Sequence, residues 1–201
     1  MKELMKAIAR GVATVAVAPA LVSFRVRALL MDENRALVGS TQALSLLPGL
    51  AGQYLRRAFL ARVLRGGCAS SAVVEFGTLF SQVDACIEEH VYIGPRCHLG
   101  HVHLERSVLL AAGVHVPSGP HTHGTELGVP IHDQEGHLRA VRIGAGSWVG
   151  SAAVVLADVG HDTIVGAGAV VTRPLPPRVV ATGVPARVVR ARGSEPVPFS
   201  A

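Results

Sequence analysis

Aromatic residues are scarce in this chain, with one Trp, two Tyr and five Phe in 201 residues. A core of ordinary thickness takes much of its volume from aromatic rings. Here the hydrophobic 49% must come mainly from Val, Ile, Leu and Ala, which suits a thin interior. Cysteine is also sparse. Cys68, Cys86 and Cys97 make an odd number with no C-x-x-C pair, which argues against a disulfide framework or a zinc ribbon and for a reducing compartment. Cys97 reads as a small packing residue. No apolar run reaches the ~20 residues of a spanning helix. The uncharged stretch from Gly11 to Phe24 lies between Lys2, Lys6 and Arg10 on one side and Arg25 and Arg27 on the other. It has the outline of a signal peptide, but no clean small-x-small cleavage site closes the run before Arg25. Three readings stay open: a helix lying in a membrane interface, a helix packed on the body of the protein, and a signal or anchor. Acidic residues are outnumbered 14 to 19, for a net charge of +5. An anionic partner follows, either a phosphorylated cofactor or an acidic membrane surface. Nucleic acid is set aside, because the arginines are scattered and no stacking aromatics accompany them.

What the chain does have is an aliphatic residue at every sixth position. Ile87, Ile93 and Leu99 form one run, and Leu104, Leu110 and Val116 a second. Ile143, Val149 and Val155 form a third, and Val165 and Val171 a fourth. Two residues earlier stands a small or short side chain: Val91, Cys97, Val108, Val114, Ser147, Ala153 or Ala169. Directly after comes Gly94, Gly100, Ala111, Gly144, Gly150 or Gly166. A helix repeats at 3.6 and a strand at 2. Six is one short strand plus one corner, the period of a stacked β-solenoid. Gly and Ala are read as tolerating the tight turn. The count slips by one near Ile87 and between Leu99 and Leu104, which predicts trimmed corners.

The repeat breaks between Val116 and Val141. The insert Pro117–Ala140 carries His121, His123, His132 and His137 among several Gly and Pro, and polar excursions from a regular scaffold are where function concentrates. Residues 1–66 read as helical and basic: the apolar run, then Asn34–Leu47, then Leu50–Leu64. In the last segment Arg56, Arg57, Arg62 and Arg65 are expected on a solvated face, with phosphate or lipid contact as the other reading. The expected organisation is therefore mainly β: a helical, membrane-leaning segment over 1–66, a solenoid over 67–190, and a frayed tail over 191–201.

Three stretches carry a resemblance to a known family. They are IGAGSWVGS over 143–151, VGAGAVVTR over 165–173 and GVPARVVR over 183–190. In this order they resemble the C-terminal half of hexapeptide-repeat acetyltransferases, over residues 74–190. The tryptophan before VGS and the closing GVPAR are particularly similar to the galactoside, maltose and streptogramin branch. LLPGLAGQYLRRAF over 46–59 and FGTLFS over 76–81 resemble members found with bacterial polysaccharide biosynthesis. The resemblance implies a left-handed parallel β-helix, a hand that the period does not dictate, since parallel crossovers are normally right-handed. It also implies a homotrimer whose acetyl-CoA sites lie in grooves between neighbouring prisms. Use of acetyl-CoA is then expected to place the enzyme in the cytoplasm, and the basic, apolar residues 1–30 leave peripheral contact with the inner membrane face open.

Acyl transfer to a hydroxyl needs one proton removed and one oxyanion stabilised. Histidine suits the first task at neutral pH. In the family the base lies just before the insertion, where this chain reads SGPHTHG over 118–124. Counting from Val114 points to His121, and the S-G-x-x-x-H frame points to His123. Glu126, Asp133 and Asp84 are candidates to orient the ring. The backbone N–H of Ser151 is expected at the oxyanion, and transfer is direct, without a covalent intermediate. By resemblance Trp148 flanks the acetyl–pantetheine arm, Ala167 and Thr172 line the groove, and Arg173, Arg187 and Arg190 meet the phosphates. No metal is expected. The first reading is an O-acetyltransferase acting on a sugar or glycan precursor, with an antibiotic or other small-molecule acceptor as an alternative. A zinc enzyme of the γ-carbonic anhydrase type is the rival on the same scaffold, drawing on His98, His101, His103, His115, His121, His123, His132 and His137. A non-catalytic scaffold is the last alternative.

Overall fold

The computed structural model describes residues 1–194; the part of the expected tail over 195–201 lies outside them. Four helices come first: α1 (Lys2–Ala16), α2 (Ala18–Leu30), α3 (Glu33–Ser45) and α4 (Gly49–Val63). A β-solenoid of about six turns follows. Its first coil holds a bridge at Cys68, then β1 (Val73–Val74) and β2 (Leu79–Phe80). The second holds β3 (Cys86–Ile87), β4 (Tyr92–Ile93) and β5 (His98–Leu99), and the third β6 (Val102–Leu104), β7 (Leu109–Leu110) and β8 (His115–Val116). After the insert come β9 (Val141–Ile143), β10 (Trp148–Val149) and β11 (Val154–Val155). The fifth coil has a bridge at Val159, then β12 (Ile164–Val165) and β13 (Val170–Val171). The sixth has a bridge at Leu175 and β14 (Val179–Thr182), which pairs antiparallel with β15 (Arg187–Ala191).

Stacking these coils makes a three-sided prism. Face I is β3-β6-β9, face II is β1-β4-β7-β10-β12-β14-β15, and face III is β2-β5-β8-β11-β13. Apart from the β14–β15 turnback, all neighbours are parallel and in register: Ile87 lies on Leu104, Ile93 on Leu110, and Leu99 on Val116. Each of these pairs is seventeen residues apart, and Ile143 to Val159 is sixteen. Corners are thus trimmed from the ideal eighteen, as the slipping count predicts. The six-spaced aliphatics and the short residues two before them are both buried. Each fully buried Leu, Ile or Val is worth about 1.5–3 kcal/mol. Cys97 is one of the packing residues. Its Sγ donates to the Ala111 carbonyl at 3.2 Å, and burial pushes the thiol up to about 11, which leaves it protonated and unreactive.

The glycines after the aliphatics serve a different purpose from the one expected. None of Gly94, Gly100, Gly144, Gly150 and Gly166 has a positive φ; they lie beneath the next coil. A Cβ on Gly150 would sit 2.5 Å from the Ala167 nitrogen. The left-handed turn is made instead by other residues, several of them not glycine: Arg96 and Ala152 at the II–III edge, and His90, Ser107, Asp162 and Arg178 at the I–II edge. Their N–H groups donate to the neighbouring coil, as Ala152 does to Ala112 at 2.9 Å and Asp162 to Ala145 at 2.7 Å. Stacking of this kind over-determines a conformation that costs about 1–2 kcal/mol alone.

The helices close the first-coil end of the prism. α3 packs on β2 and α4 on β1, with α1 and α2 outside them. Phe24 and Phe59 meet edge to face at 5.8 Å. The expected solvated arginine face is only half present. Arg62 and Arg65 are exposed, but Arg56 and Arg57 are 3% and 8% exposed. Arg56 donates to the carbonyls of Leu44 (3.1 Å), Leu47 (2.7 Å) and Val74 (3.0 Å). It therefore satisfies orphan carbonyls at the end of α3 and a strand carbonyl of the terminal coil.

Two substitutions separate the glycine roles. Ala152→Gly should stabilise by roughly 0.5–1 kcal/mol, the left-handed relief less the added chain entropy. Gly150→Ala should destabilise by about 1–3 kcal/mol through overpacking. Urea unfolding midpoints decide, and opposite signs would refute this account of the corners.

Candidate active site

The three faces present different chemistry. Face I carries Cys86, His103 and Arg142 outward, with His103 Nε2 at 2.7 Å from Glu88 and Arg142 paired to Glu105. Face II carries an apolar stripe, in which Tyr92, Leu109, Trp148 and Ile164 occupy successive rungs. Face III carries His98 directly opposite His115, one coil apart. Their rings meet nearly perpendicular at 6.0 Å between centroids. Burial first, and then the neighbouring His115, lowers the His98 pKa below its ordinary 6.5.

The insert leaves β8 at the III–I edge and folds back over face III. Ser118 anchors it: its buried hydroxyl accepts from the His101 N–H at 2.9 Å, and its carbonyl accepts from the Arg139 N–H at 2.8 Å. The neck closes again where the His137 N–H donates to the His121 carbonyl at 2.7 Å. Gly136 is required there, since a Cβ would fall 2.0 Å from the Thr122 carbonyl oxygen. Farther out, the Gln134 amide accepts from the Glu126 N–H and donates to the carbonyls of Glu126 and Val129. The result is a cavity of about 550 Å³ whose lining includes His98, His115, Ser118, Thr122, His123 and Val154.

Of the two histidines expected as base, His123 lines this cavity and His121 does not. Both are exposed. Ser151 lies at the II–III edge, where its carbonyl accepts from Gly168 at 2.8 Å, so Ser151 and Ala167 are stacked on one ridge. Trp148 stands on face II, 48% exposed. Face III, with His123 over it, is the adjoining side of the prism. Thr172 and Arg173 follow β13 at the III–I edge, exposed. Arg187 and Arg190 lie on β15; the Arg187 guanidinium donates to Ala186 (3.0 Å), and that of Arg190 to Ala191 (3.2 Å) and Ser194 (2.9 Å). One prism thus gathers His123 with His98 and His115, and Ser151 with Ala167, but leaves Trp148 on a different side from the histidines.

The three carboxylates considered as orienters have no hydrogen bond to His121 or His123 among the described residues. Asp84 pairs with Arg65 and Asp133 with His132, while Glu126 is held through its backbone. Neither do any three His, Cys, Asp or Glu side chains converge as a metal site among the described residues. His98 and His115 were visible in the sequence only as possible zinc ligands. Their signal was the spacing: seventeen residues is one coil, and each directly precedes an interior aliphatic, so both must point outward.

No protein-family model matches the chain. In sequence it is 28% identical over 142 residues to the galactoside O-acetyltransferase of Escherichia coli K12, covering 60% of this chain and 70% of that one. In structure it is similar to a maltose O-acetyltransferase from Clostridium difficile 630, with TM-score 0.62 and 18% identity over 82% of this chain and 90% of the other. A mutant of AntD, an N-acyltransferase from Bacillus cereus, solved with dTDP-4-amino-4,6-dideoxyglucose and coenzyme A, gives TM-score 0.53 at 16% identity, over 60% and 70%. The fold is the left-handed parallel β-helix that the resemblance implies. Sequence and fold agree on the hexapeptide-repeat acyltransferases as the group this chain resembles, with galactoside and maltose O-acetyltransferases among its relatives.

The His98 pair carries a pH signature. A histidine whose pKa is lowered on folding binds its proton less readily folded than unfolded, so stability falls on acidification below about 6.5, between the unfolded and the lowered folded pKa. His98→Asn should reduce the loss of urea midpoint between neutral and mildly acidic buffer. An unchanged loss would show that His98 carries none of it.

Proposed function

We propose that this protein is an acetyl-CoA-dependent O-acetyltransferase that acts on a hydroxyl of a sugar or glycan precursor, with His123 as general base. The observation that carries this reading is the position of His123 in the cavity over face III, in a chain aligned over most of its length with a galactoside O-acetyltransferase. His121, outside that lining, is the weaker candidate. Exposed small residues at Ser151 and Ala167 leave the II–III ridge open to a close-lying arm. Arg173, Arg187 and Arg190 offer guanidinium groups to its phosphates.

Acetyl-CoA supplies the acetyl group as a thioester. The chain's part is to hold the acceptor hydroxyl against the imidazole and take its proton as the oxygen attacks the thioester carbonyl; as the C–S bond breaks, the imidazolium returns that proton to the departing thiolate, which leaves as the free thiol. The Ser151 N–H is assigned to the developing oxyanion, and proximity replaces a covalent intermediate. The lowered pKa of His98, set by partial desolvation and by His115, disfavours positive charge in the cavity where the base must start unprotonated. The apolar stripe of Tyr92, Leu109 and Trp148 on face II suits burial against a neighbouring prism, the homotrimer that would bring Trp148 to another subunit's face III. A cytoplasmic site of action, peripheral to the membrane, fits the use of acetyl-CoA.

The test is free-thiol release with galactoside and maltose as first acceptors. His123→Ala should lower kcat about 10²–10⁴-fold with the KM for acetyl-CoA nearly unchanged, while His121→Ala stays near wild type. If only His121→Ala is inactive, the base has been misassigned. Arg187→Ala and Arg190→Ala should mainly raise the KM for acetyl-CoA, and an unchanged KM removes them from the site.

A further inference from the structure

At the opposite end of the molecule from the last coil, α1, α4 and the first coil enclose a cleft with two chemically distinct halves. One half is apolar, about 450 Å³, between Met5, Ile8 and Val12 on α1 and Ala51, Tyr54 and Leu55 on α4. The other is about 400 Å³ and cationic, with Lys6, Arg10 and Arg57 over Ser71 and His90. Tyr54 lines both, so the halves are continuous. No carboxylate lines either among the described residues.

The arginines are not placed there as surface charge. Arg57 is 92% buried by the complement of its 8% exposure. Its guanidinium stands 5.8 Å from the Tyr54 ring, and no hydrogen bond or ion pair holds it among the described residues. Arg10 Nε is buried without a hydrogen-bond partner. Burial and then the charge of Arg10 both depress the Arg57 pKa, so the two guanidinium groups stand close enough to repel one another. A buried, unpaired cation is costly unless an anion meets it.

We propose that this cleft binds one anionic lipid, a phosphate ester whose headgroup sits between Arg10 and Arg57 and whose hydrocarbon chain lies in the trough between α1 and α4. Charge complementarity selects the phosphate, and the continuous apolar half selects a lipid over a free phosphate. Exposed Leu4 and Val15 on α1 and Val22, Val26 and Leu29 on α2 extend the apolar surface beside the trough. α1 and α2 are bent by 43° to one another, and no single helix among the described residues is long and apolar enough to cross a bilayer. A bound lipid then holds the helical end at an anionic membrane surface. The proposal stands apart from acyl transfer, because its readout needs neither acceptor nor thioester.

The experiment is sedimentation of the full chain with vesicles of phosphatidylcholine alone or with a third phosphatidate. Wild type should bind the phosphatidate vesicles at least about tenfold tighter. Arg10→Gln should lose about 30-fold, the worth of a charge-assisted hydrogen bond. Arg25→Gln, the same charge change at an exposed position outside the cleft, should lose no more than about fivefold. Ile8→Asp, on the exposed side of the trough, should abolish binding with thermal unfolding unchanged. Equal losses for Arg10→Gln and Arg25→Gln would mean diffuse attraction and would overturn the site. So would full binding by Ile8→Asp, or calorimetric binding of inorganic phosphate without vesicle binding.

Discussion

Everything in this molecule depends on the close approach of one coil to the next. The interior is only as wide as three aliphatic side chains, so the coils stack in register and their corners nearly touch. Gly150 beneath Ala167 and Gly144 beneath His161 leave no room for a Cβ. That contact lets the backbone of one coil hydrogen-bond the next at every edge, and it holds Ala152 and Asp162 in left-handed conformations they would not adopt alone. A regular prism follows, and with it three flat faces whose outward residues repeat once per coil.

Those faces divide the labour. Face I is polar and ion-paired, face II apolar, and face III carries the stacked histidines beneath the one large insert. Because outward residues recur at seventeen or sixteen, a single spacing sets which groups meet. His98 meets His115 seventeen residues on, and Trp148 meets Ile164 sixteen residues on. The insert adds what a solenoid lacks, a concave wall. Ser118, Gly136 and Gln134 hold that wall in one conformation, and His123 faces the cavity as a consequence. The helical end is built on a different logic, with buried arginines in place of stacked aliphatics. One of them, Arg56, donates to three backbone carbonyls, while Arg57 has no acidic partner among the described residues.

The repeat was readable because a strict period is a direct consequence of the geometry. Every six-spaced aliphatic lies in the interior, and the insert begins and ends where the period stops and resumes. The slip near Leu99 marked a real corner. Less was readable at the helices. Arg56 and Arg57 fall on a helix otherwise amphipathic, and charge in such a pattern points to water; burial arises because α3 ends and the first coil begins at the same place. The glycines were found for the wrong reason, since turn tolerance and close packing leave the same residue in the sequence. The pairing of His98 with His115 is a matter of register between coils, which no local pattern shows.

Periodicity by itself determined the solenoid, its interior residues and the position of the insert, because a prism of this width admits one aliphatic side chain per side and a break is visible as lost period. The resemblance in 143–190 pointed to acyl transfer chemistry. Only the tertiary structure decided which histidine of the insert faces the cavity, that His98 and His115 meet, and that Arg57 is buried with no acid beside it among the described residues. Each of those depends on contacts between residues far apart in the chain, and a local pattern carries no record of them.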